Sequence, residues 1–260
     1  MTKYSFNVNG HETQGYLLGI PLCDYTAPQV EQWIKEGQIE SLQYCVTPNV
    51  DHLVRYVDSR DTLFVGAYRA ADIAILDSRV LQLVSRFFHG ANISFLPGSD
   101  LTEYLFNSGV LRNRKVAIIG GDQTAITYIK ERYHLQKLFH HYPPMGFINS
   151  PDAVKYCIEF VTNHRPEVLF LAVGSPRQEI LAYRLKQEVD FPCKAFCIGA
   201  SIDFLIGKEK RAPLWMQKLA LEWLYRFIKD PKGKLRRYFI DGLKILPLVF
   251  RKDFIITSKS

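Results

Sequence analysis

The sequence predicts an α/β protein in which a Rossmann-like parallel sheet is flanked by helices and followed by a basic helical appendage. Short apolar runs alternate with segments of helical periodicity, which is typical of βαβ units. Small or polar residues follow the apolar runs, as expected where parallel strands end at one edge of a sheet. Positive charge is concentrated late in the chain, so we predict an α/β body over residues 1–207 and a helical appendage over residues 208–260.

The first half of the chain is predicted to hold two strand–helix units. Ser41–Val46 is an apolar run of strand length, and the helical pattern of Pro48–Ser59 follows it, with Asn49 near its start. Asp72–Leu76 is a second apolar run, and Arg79–Phe88 has helical spacing. Each unit therefore places a short connection directly after a buried strand.

Three further strands are predicted in the second half of the chain, and two of them are followed by helices. They are Lys115–Ile119 with a helix over Gln123–His134, Val168–Val173 with a helix over Gln178–Lys186, and Lys194–Ile198. Because strands separated by helices pair in parallel, we expect all of the predicted strands to join one sheet.

Residues suited to ligand binding follow the predicted strands. They are Thr47-Pro48-Asn49, Asp77-Ser78, Gly120-Gly121-Asp122, Gly174-Ser175-Pro176-Arg177-Gln178-Glu179 and Gly199-Ala200-Ser201. One glycine turn after a strand is ordinary turn chemistry. Five such segments at strand ends predict a single crevice, because ligands of doubly wound sheets bind beyond the carboxyl ends of the strands.

Two of these segments contain glycines. Gly120-Gly121 can let a phosphate approach backbone N–H groups at a helix start, although a plain turn accounts for the same residues. Gly174-Ser175 leads into a proline at a predicted first helical position, which places Gln178 at the mouth of the crevice. Gln178 carries a donor and an acceptor suited to sugar hydroxyls. The alternative to ligand binding is that these residues cap the helix, with the negative charge of Glu179 interacting favourably with the positive end of the helix dipole.

Asp77 follows the apolar run Ile73–Leu76, where a carboxylate can be partly removed from water. Such a carboxylate has a raised pKa and is a stronger base, which suits a general base. The alternative interpretation is that Asp77 caps the helix that follows.

Charge separates the appendage from the body. Residues 208–260 hold 14 Lys and Arg against 5 Asp and Glu, whereas residues 1–207 hold 19 against 21. Aromatic and aliphatic residues interleave with these cations, a pattern that fits an anionic membrane surface. The N-terminus lacks an apolar signal core, and Ile245–Phe250 is too short to span a bilayer. We therefore expect a cytoplasmic protein that is peripheral on the inner face of the cell membrane.

Other classes of protein lack support in the sequence. The first βα turn has no GxGxxG, which argues against a dinucleotide-dependent oxidoreductase. No RNP, KH or helix-turn-helix pattern occurs, so we expect no nucleic-acid partner, although a non-catalytic α/β protein that binds nucleic acid or membrane through its basic tail is the main alternative. The five cysteines are scattered without zinc spacing and read as buried free thiols of a reducing compartment.

Several motifs occur in the same order as in a known bacterial family. They are Thr47-Pro48-Asn49-Val50-Asp51-His52, Ala71-Asp72-Ile73 leading to Asp77, Gly98-Ser99-Asp100-Leu101, Val173-Gly174-Ser175-Pro176-Arg177-Gln178-Glu179, Gly199-Ala200-Ser201-Ile202-Asp203-Phe204, Arg211-Ala212-Pro213-Leu214-Trp215-Met216-Gln217, Leu221-Glu222-Trp223-Leu224-Tyr225-Arg226 and Arg236-Arg237-Tyr238. Over roughly residues 40–240 the chain resembles the WecG/TagA/CpsF glycosyltransferases.

The resemblance implies an inverting transferase that moves a sugar from a UDP-sugar to a saccharide linked to a polyprenyl diphosphate, in cell-surface or exopolysaccharide synthesis. Members transfer N-acetylmannosamine, N-acetylmannosaminuronic acid or glucose. The family's proposed general base falls on Asp77, and the threonine and asparagine of its TPN motif fall on Thr47 and Asn49. The family's basic C-terminal appendage completes the site and contacts the membrane.

The remaining predicted contacts to substrate come from the glycine-rich strand ends and from the tail. They are Gly120, Gly121, Gly174, Ser175, Gln178, Glu179, Arg211, Arg226 and Arg237. Because no DxD motif is present, we expect a metal-independent enzyme without a cofactor, in which arginines offset the charge of the diphosphate. The chain departs from the family in reading Leu76-Asp77-Ser78 instead of Pro-Asp-Gly, and in lacking the arginine that usually precedes Gly-Ser-Asp.

Overall fold

The computed structural model describes residues 6–8, 11–36, 40–59, 61–209, 211–229 and 242–257. The strands are β1 (Phe6–Val8), β2 (His11–Leu17), β3 (Ile20–Cys23), β4 (Leu42–Val46), β5 (Ile73–Ala74), β6 (Lys115–Gly120), β7 (Lys137–His141), β8 (Val168–Ala172), β9 (Cys193–Cys197) and β10 (Ile255–Thr257). Within the described residues, β4 to β9 form a six-stranded sheet in the order β5-β4-β9-β8-β6-β7, and all neighbours are parallel. The predicted Rossmann-like fold is confirmed.

Helices connect the strands and cover both faces of this sheet. They are α1 (Ala27–Lys35), α2 (Val50–Asp58), α3 (Thr62–Arg69), α4 (Arg79–His89), α5 (Gly98–Asn107), α6 (Gln123–Arg132), α7 (Pro151–His164), α8 (Arg177–Glu188), α9 (Ser201–Leu205), α10 (Leu214–Lys218), α11 (Glu222–Lys229) and α12 (Ile245–Val249). Short 3₁₀ turns over Phe147–Asn149 and Gly242–Lys244 precede α7 and α12.

Alternate residues of each strand enter different cores, because successive side chains of a strand point to opposite faces. In β6, Val116 and Ile118 join α1, α5, α6 and α9, whereas Ala117 and Ile119 join α2, α3, α7 and α8. All four side chains are fully buried. Burial on both faces explains why the strands read as continuous apolar runs in the sequence.

The predicted strand at Asp72–Leu76 is shorter in the structure, where β5 comprises Ile73–Ala74. The chain turns away from the sheet directly afterwards. The Ile75 N–H donates to the Val46 carbonyl at 3.0 Å, and the Asp77 N–H donates to the Pro48 carbonyl at 2.9 Å. These bonds tie the segment after β5 to the segment after β4, so the two strand ends remain adjacent.

A second, antiparallel sheet joins the two ends of the described chain. Strand β2 pairs with β1, β3 and β10, and Ile255 lies opposite Leu17. Phe254 and Ile255 are buried in the same core as α2 and α3, together with Ile245 of α12. The division at residue 207 stays a prediction, but the last described residues pack into the body, and removing them would expose core side chains.

All five cysteines lie in the described part of the chain and are buried and unpaired, as predicted. Burial raises the pKa of the Cys157 thiol to about 11 and raises the pKa values of Cys45 and Cys197 further. These thiols are therefore protonated core residues. In the described residues, every helix is too short or too polar to cross a membrane.

Candidate active site

The five predicted strand-end segments lie at one edge of the sheet, because all of the strands that precede them are parallel. Thr47 and Asn49 follow β4, and Thr47 is buried. Asn49 is the N-cap of α2, where its Oδ1 accepts the His52 backbone N–H at 3.1 Å. The sequence correctly places Asn49 at the start of this helix.

Asp77 lies close to Thr47 and to the first residue of α5. A Cβ atom added at Gly98 would be 3.0 Å from Thr47 Oγ1 and 3.4 Å from Asp77 Oδ2. The Asp77 side chain is half-buried. The cap of α4 is Ser78, whose Oγ accepts the Leu81 N–H at 3.2 Å, so the structure assigns the capping role to the neighbour of Asp77.

The α5 N-terminus adds backbone donors to the same place. Pro97 is the N-cap residue and makes no side-chain cap bond, and Gly98 begins the helix without a side chain. Backbone N–H groups of a first helical turn carry partial positive charge and stabilise anions. The side chains of Thr47 and Asp77 thus face the positive end of a ten-residue helix.

Gly98→Ala is expected to lower sugar transfer by on the order of tenfold, because the new methyl group displaces Thr47 or Asp77 by a few tenths of an ångström. The matched control is Gly66→Ala in α3, whose Cβ meets only Tyr183 at an ordinary 3.6 Å. Both variants gain helix propensity. Initial rates and thermal unfolding of the two variants check the prediction. Equal transfer rates in the two variants would show that sugar transfer does not need the space left by the missing side chain at Gly98.

Arg211 is brought to the α5 N-terminus by the segment that follows α9. Its Nη2 donates to Ser99 Oγ at 2.7 Å and forms an ion pair with Asp100. The guanidinium also lies over the Phe204 ring, 5.7 Å from its centroid. Ser99 and Asp100 directly follow Gly98, so a cation from the predicted appendage lies in the first turn of the helix whose start adjoins Asp77.

The positions of the other two predicted tail arginines cannot be compared with the site. Arg226 belongs to α11, but its side chain lies outside the described part of the structure, and Arg237 lies outside the described residues altogether. A cation that the sequence did not single out is Arg79, two residues after Asp77. Its guanidinium lies over the Phe95 ring at 5.4 Å, and its Nη1 donates to Gln82 Oε1 at 2.7 Å.

The glycines after β6 have a clear structural reason. Gly120 has a φ of +102°, and a Cβ atom there would lie 2.5 Å from the Ala172 carbonyl oxygen of β8. Gly121 has a φ of +74° and is approached by Ile202 of α9. The His140 Nε2 lies 3.1 Å from both glycine carbonyl oxygens. These contacts account for both glycines as a turn, and phosphate binding there stays a prediction.

The segment after β8 differs from its prediction in where the helix begins. Helix α8 begins at Arg177, so Pro176 is the N-cap residue rather than the first helical residue, and its φ of −87° and ψ of −1° are those of a turn. The Ser175–Pro176 peptide bond is cis. Gly174 has a φ of +72°, and Ser175 Oγ lies 3.5 Å from the Arg55 Nη1.

Gln178 is buried rather than exposed at the mouth of the crevice, as is its neighbour Glu179. The Gln178 Oε1 accepts the Gly199 N–H at 2.8 Å, and its Nε2 donates to Glu179 Oε1 at 2.9 Å. The side chain points inward because these partners satisfy its polar atoms. Gln178 thereby joins the end of β8 to the end of β9, and contact of either residue with substrate stays a prediction.

Glu179 also reaches two residues that the sequence did not indicate. The Tyr68 hydroxyl lies 3.4 Å from Glu179 Oε1 and 2.9 Å from His52 Nδ1. Burial of the Tyr68 hydroxyl is the main cause that raises the pKa of Tyr68 well above its usual value, and the nearby Glu179 carboxylate is the second. The Glu179 Oε2 is buried and has no hydrogen-bond partner among the described residues. This network links α2, α3 and α8 behind the segment that carries Thr47 and Asn49.

Gln178→Ala is expected to lower the free energy of unfolding by about 1–3 kcal/mol, because it leaves a buried carboxylate oxygen and the Gly199 N–H short of a partner. This loss of stability differs from what we expect for an exposed substrate-binding residue, because replacing such a residue leaves the melting temperature unchanged. The matched control is Gln123→Ala in the first turn of α6, where the side chain is exposed. Chemical denaturation measures the free energy of unfolding of both variants. Unchanged stability in Gln178→Ala would contradict the structural role.

No group of three or more His, Cys, Asp or Glu side chains in the described part of the chain could hold a metal ion. Metal independence of the reaction stays a prediction. Guanidinium groups, the Lys208 ammonium group and backbone N–H groups lie at the strand ends, and groups of these kinds can offset the charge of a diphosphate.

Comparison with known proteins assigns the chain to a family. The profile of the glycosyl transferase WecG/TagA/CpsF family matches residues 16–259. The protein belongs to this family. The predicted resemblance is thereby confirmed, and the match extends beyond residues 40–240 to run from β2 to β10. Because the match spans both predicted units, the WecG/TagA/CpsF assignment covers the body and the appendage alike.

A curated relative in Staphylococcus aureus (strain MRSA252) is 24% identical to the chain over 244 residues. It is an N-acetylglucosaminyldiphosphoundecaprenol N-acetyl-beta-D-mannosaminyltransferase, and the alignment covers 91% of this chain and 90% of the relative. The two chains thus correspond along nearly their whole lengths.

Proposed function

We propose that this glycosyl transferase moves a sugar from a UDP-sugar to an acceptor saccharide linked to a polyprenyl diphosphate, with inversion at the anomeric carbon. The sugar is N-acetylmannosamine, N-acetylmannosaminuronic acid or glucose, and the product serves bacterial cell-surface or exopolysaccharide synthesis. The name of the staphylococcal relative supports the class of acceptor, because it specifies a sugar on diphosphoundecaprenol. The transfer is a hexosyl transfer in each of these cases.

The observation that carries the proposal is the convergence of Asp77, Thr47 and the α5 N-terminus. Inversion needs one displacement, in which an acceptor hydroxyl attacks the anomeric carbon while UDP leaves with the electron pair of the bond. Asp77 accepts the proton of that hydroxyl, and because its side chain is only half-buried, an acceptor hydroxyl can reach the carboxylate. Thr47 orients the sugar beside it.

The leaving diphosphate needs positive charge. The first-turn N–H groups of α5, the Arg211 guanidinium held by Ser99 and Asp100, and Arg79 beside Phe95 lie around the same strand ends. Fixed donors of this kind stabilise developing charge without reorganising during the reaction. Arg211 comes from the predicted appendage, which supports the proposal that the appendage completes the site.

A lipid-linked acceptor places the reaction at a membrane, and we propose that the protein acts at the inner face of the cell membrane. The described tail helices expose large apolar side chains. Trp215 in α10, Leu219 directly after α10 and Ile228 in α11 are each more than half exposed. Aromatic residues next to cations bind the interface of an anionic bilayer.

The function is tested by incubating the purified full chain with a panel of UDP-sugars and a short-chain polyprenyl diphosphate that carries N-acetylglucosamine. We expect one of the three sugars to be transferred, UDP to be released, and NMR to show an inverted anomeric configuration in the product. Transfer without any UDP-sugar, or retention of configuration, would contradict the proposal. Binding of random DNA without transfer would favour the nucleic-acid alternative.

A further inference from the structure

Two arginines approach the strand-end edge from opposite faces of the parallel sheet. Arg211 lies over Phe204 of α9, on the face that α5 and α9 cover. Arg79 lies over Phe95, which packs against the core on the other face, together with α2, α3 and α8. Asp77 follows β5 at the edge that the two faces share. The candidate base therefore has one cation on each face of the sheet.

The Arg79 guanidinium is held in one position by its neighbours. Its carbon atom lies 5.4 Å from the centroid of the Phe95 ring, and its Nη1 donates to Gln82 Oε1 at 2.7 Å. Gln82 is itself fixed, because its Nε2 donates to the Ile93 carbonyl at 2.8 Å. A guanidinium that is already oriented loses little conformational entropy when it binds a ligand.

The charge of Arg79 lacks the carboxylate that Arg211 has. Arg211 pairs with Asp100, whereas no ion pair within the described part of the chain includes Arg79. The Arg79 Nε is buried and has no hydrogen-bond partner among the described residues, although the side chain as a whole is only half-buried. Because a charge that is partly removed from water is costly without a counter-charge, the surroundings of Arg79 favour an anionic ligand.

The proposed reaction brings two diphosphates to this edge of the sheet. The UDP of the donor leaves from one side of the anomeric carbon, and the acceptor hydroxyl attacks from the opposite side, as inversion requires. The diphosphate of the acceptor is attached to the sugar that carries this hydroxyl, so it lies on the side of the attacking group. The two diphosphates therefore need cations on opposite sides of the base.

We propose that Arg79 binds the diphosphate of the lipid-linked acceptor, while the α5 N-terminus and Arg211 face the diphosphate of UDP. Arg79 follows Asp77 by two residues, so their Cα atoms lie within about 7 Å of each other, and the two side chains can contact the two ends of one sugar. Arg79 also adds to the positive potential around UDP, but its direct contacts are with the acceptor. The proposal rests on the proposed function for the identity of the acceptor.

The first test measures acceptor binding without transfer. Calorimetry on the full chain saturated with UDP compares the wild type with Arg79→Gln, and the ligand is N-acetylglucosamine on a short-chain polyprenyl diphosphate. We expect the variant to bind this acceptor about ten- to a hundredfold more weakly, the usual effect of losing a hydrogen bond between charged groups. Its Kd for UDP should stay unchanged. Arg79→Lys keeps the charge and should recover part of the acceptor affinity.

The second test removes the diphosphate from the acceptor instead of the cation from the protein. A methyl glycoside of N-acetylglucosamine keeps the attacking hydroxyl, and the wild type and Arg79→Gln should use it at the same slow rate. With the diphosphate acceptor, the variant should have a KM about ten- to a hundredfold higher, with little change in kcat. A merely structural role of Arg79 would instead lower the rates with both acceptors alike, and this result would overturn the proposal.

The matched control is Arg86→Gln, which makes the same change in the last turn of α4, where the side chain is exposed. It should bind UDP and the acceptor like the wild type, and thermal unfolding verifies the folding of each variant. Equal acceptor affinity in Arg79→Gln and Arg86→Gln would overturn the proposal, as would a loss of UDP affinity in Arg79→Gln as large as its loss of acceptor affinity. A wild-type protein that binds the diphosphate acceptor through Arg79 but transfers no sugar would refute the proposed reaction and leave the acceptor subsite intact.

Discussion

Asp77→Asn is expected to lower the rate of sugar transfer by roughly 10²–10⁴-fold, the usual range for losing acid–base assistance. The amide has nearly the size of the carboxylate but cannot accept the acceptor's proton at neutral pH. Because the two side chains have nearly the same size, the substitution opens no cavity beside Thr47 and Gly98 and changes only the chemistry of the side chain. Single-turnover rates with a soluble acceptor measure the loss.

The matched control is Asp61→Asn. Asp61 lies outside the strand-end segments, and its Oδ1 accepts the Leu63 N–H at 2.9 Å as the N-cap of α3. Asparagine is an equally good N-cap, so this variant should keep both stability and activity. UDP affinity, measured by calorimetry, should be nearly unchanged in Asp77→Asn. Near-normal turnover in Asp77→Asn would remove Asp77 from the role of general base.

Arg211→Gln is expected to lower transfer by about 10²-fold, the typical cost of removing one donor that stabilises developing charge. The guanidinium is fixed by Ser99 and Asp100 at the start of α5, next to Gly98, which adjoins Asp77. Glutamine keeps much of the length and polarity of the side chain but removes its charge. The effect should be visible in UDP affinity as well as in the rate.

The control for charge alone is Arg114→Gln. Arg114 pairs with Glu167 at 2.8 Å before the start of β6, at the opposite end of the strands from the crevice. That pair is partly exposed, so its loss should matter little for stability. If Arg211→Gln transfers sugar as fast as Arg114→Gln, Arg211 does not serve the diphosphate, and the appendage contributes to the site by another residue.

The central strands were predictable because burial on both faces leaves a local signature. Lys115–Ile119 and Val168–Val173 were expected as strands, and the structure has β6 over Lys115–Gly120 and β8 over Val168–Ala172. Both are apolar runs that need no information from elsewhere in the chain. The parallel arrangement then followed from the helices between them, since parallel strands require a crossover.

The strands that the sequence did not indicate depend on partners. Strand β7 lies at the edge of the sheet and contains two histidines among residues 137–141, so its apolar pattern is weak. Strand β10 comprises three residues and exists because β2 lies beside it. Short edge strands take their conformation from a neighbour that is distant in sequence, and no local pattern records that neighbour.

In the candidate site, too, some features were predictable from the sequence and others were not. Thr47, Asn49 and Asp77 each follow a predictable strand, and their common location follows from parallel pairing alone. The inward rotation of Gln178 depends on Gly199 and Glu179, and the network to Tyr68 and His52 joins positions more than a hundred residues apart. Burial of a polar side chain is decided by whether partners meet it in three dimensions, which the sequence leaves open.

The pairing of β10 with β2 has a consequence for how the chain folds. Residues 15–17 receive their partner from residues 255–257, so nearly the whole polypeptide must be synthesised before this edge is closed. Until then the strand presents unpaired backbone groups that can template association between nascent chains. Such a distant contact is also slow to form. We therefore expect the amide hydrogens that bond between β2 and β10 to gain protection from exchange last during refolding, after those of β6 and β8.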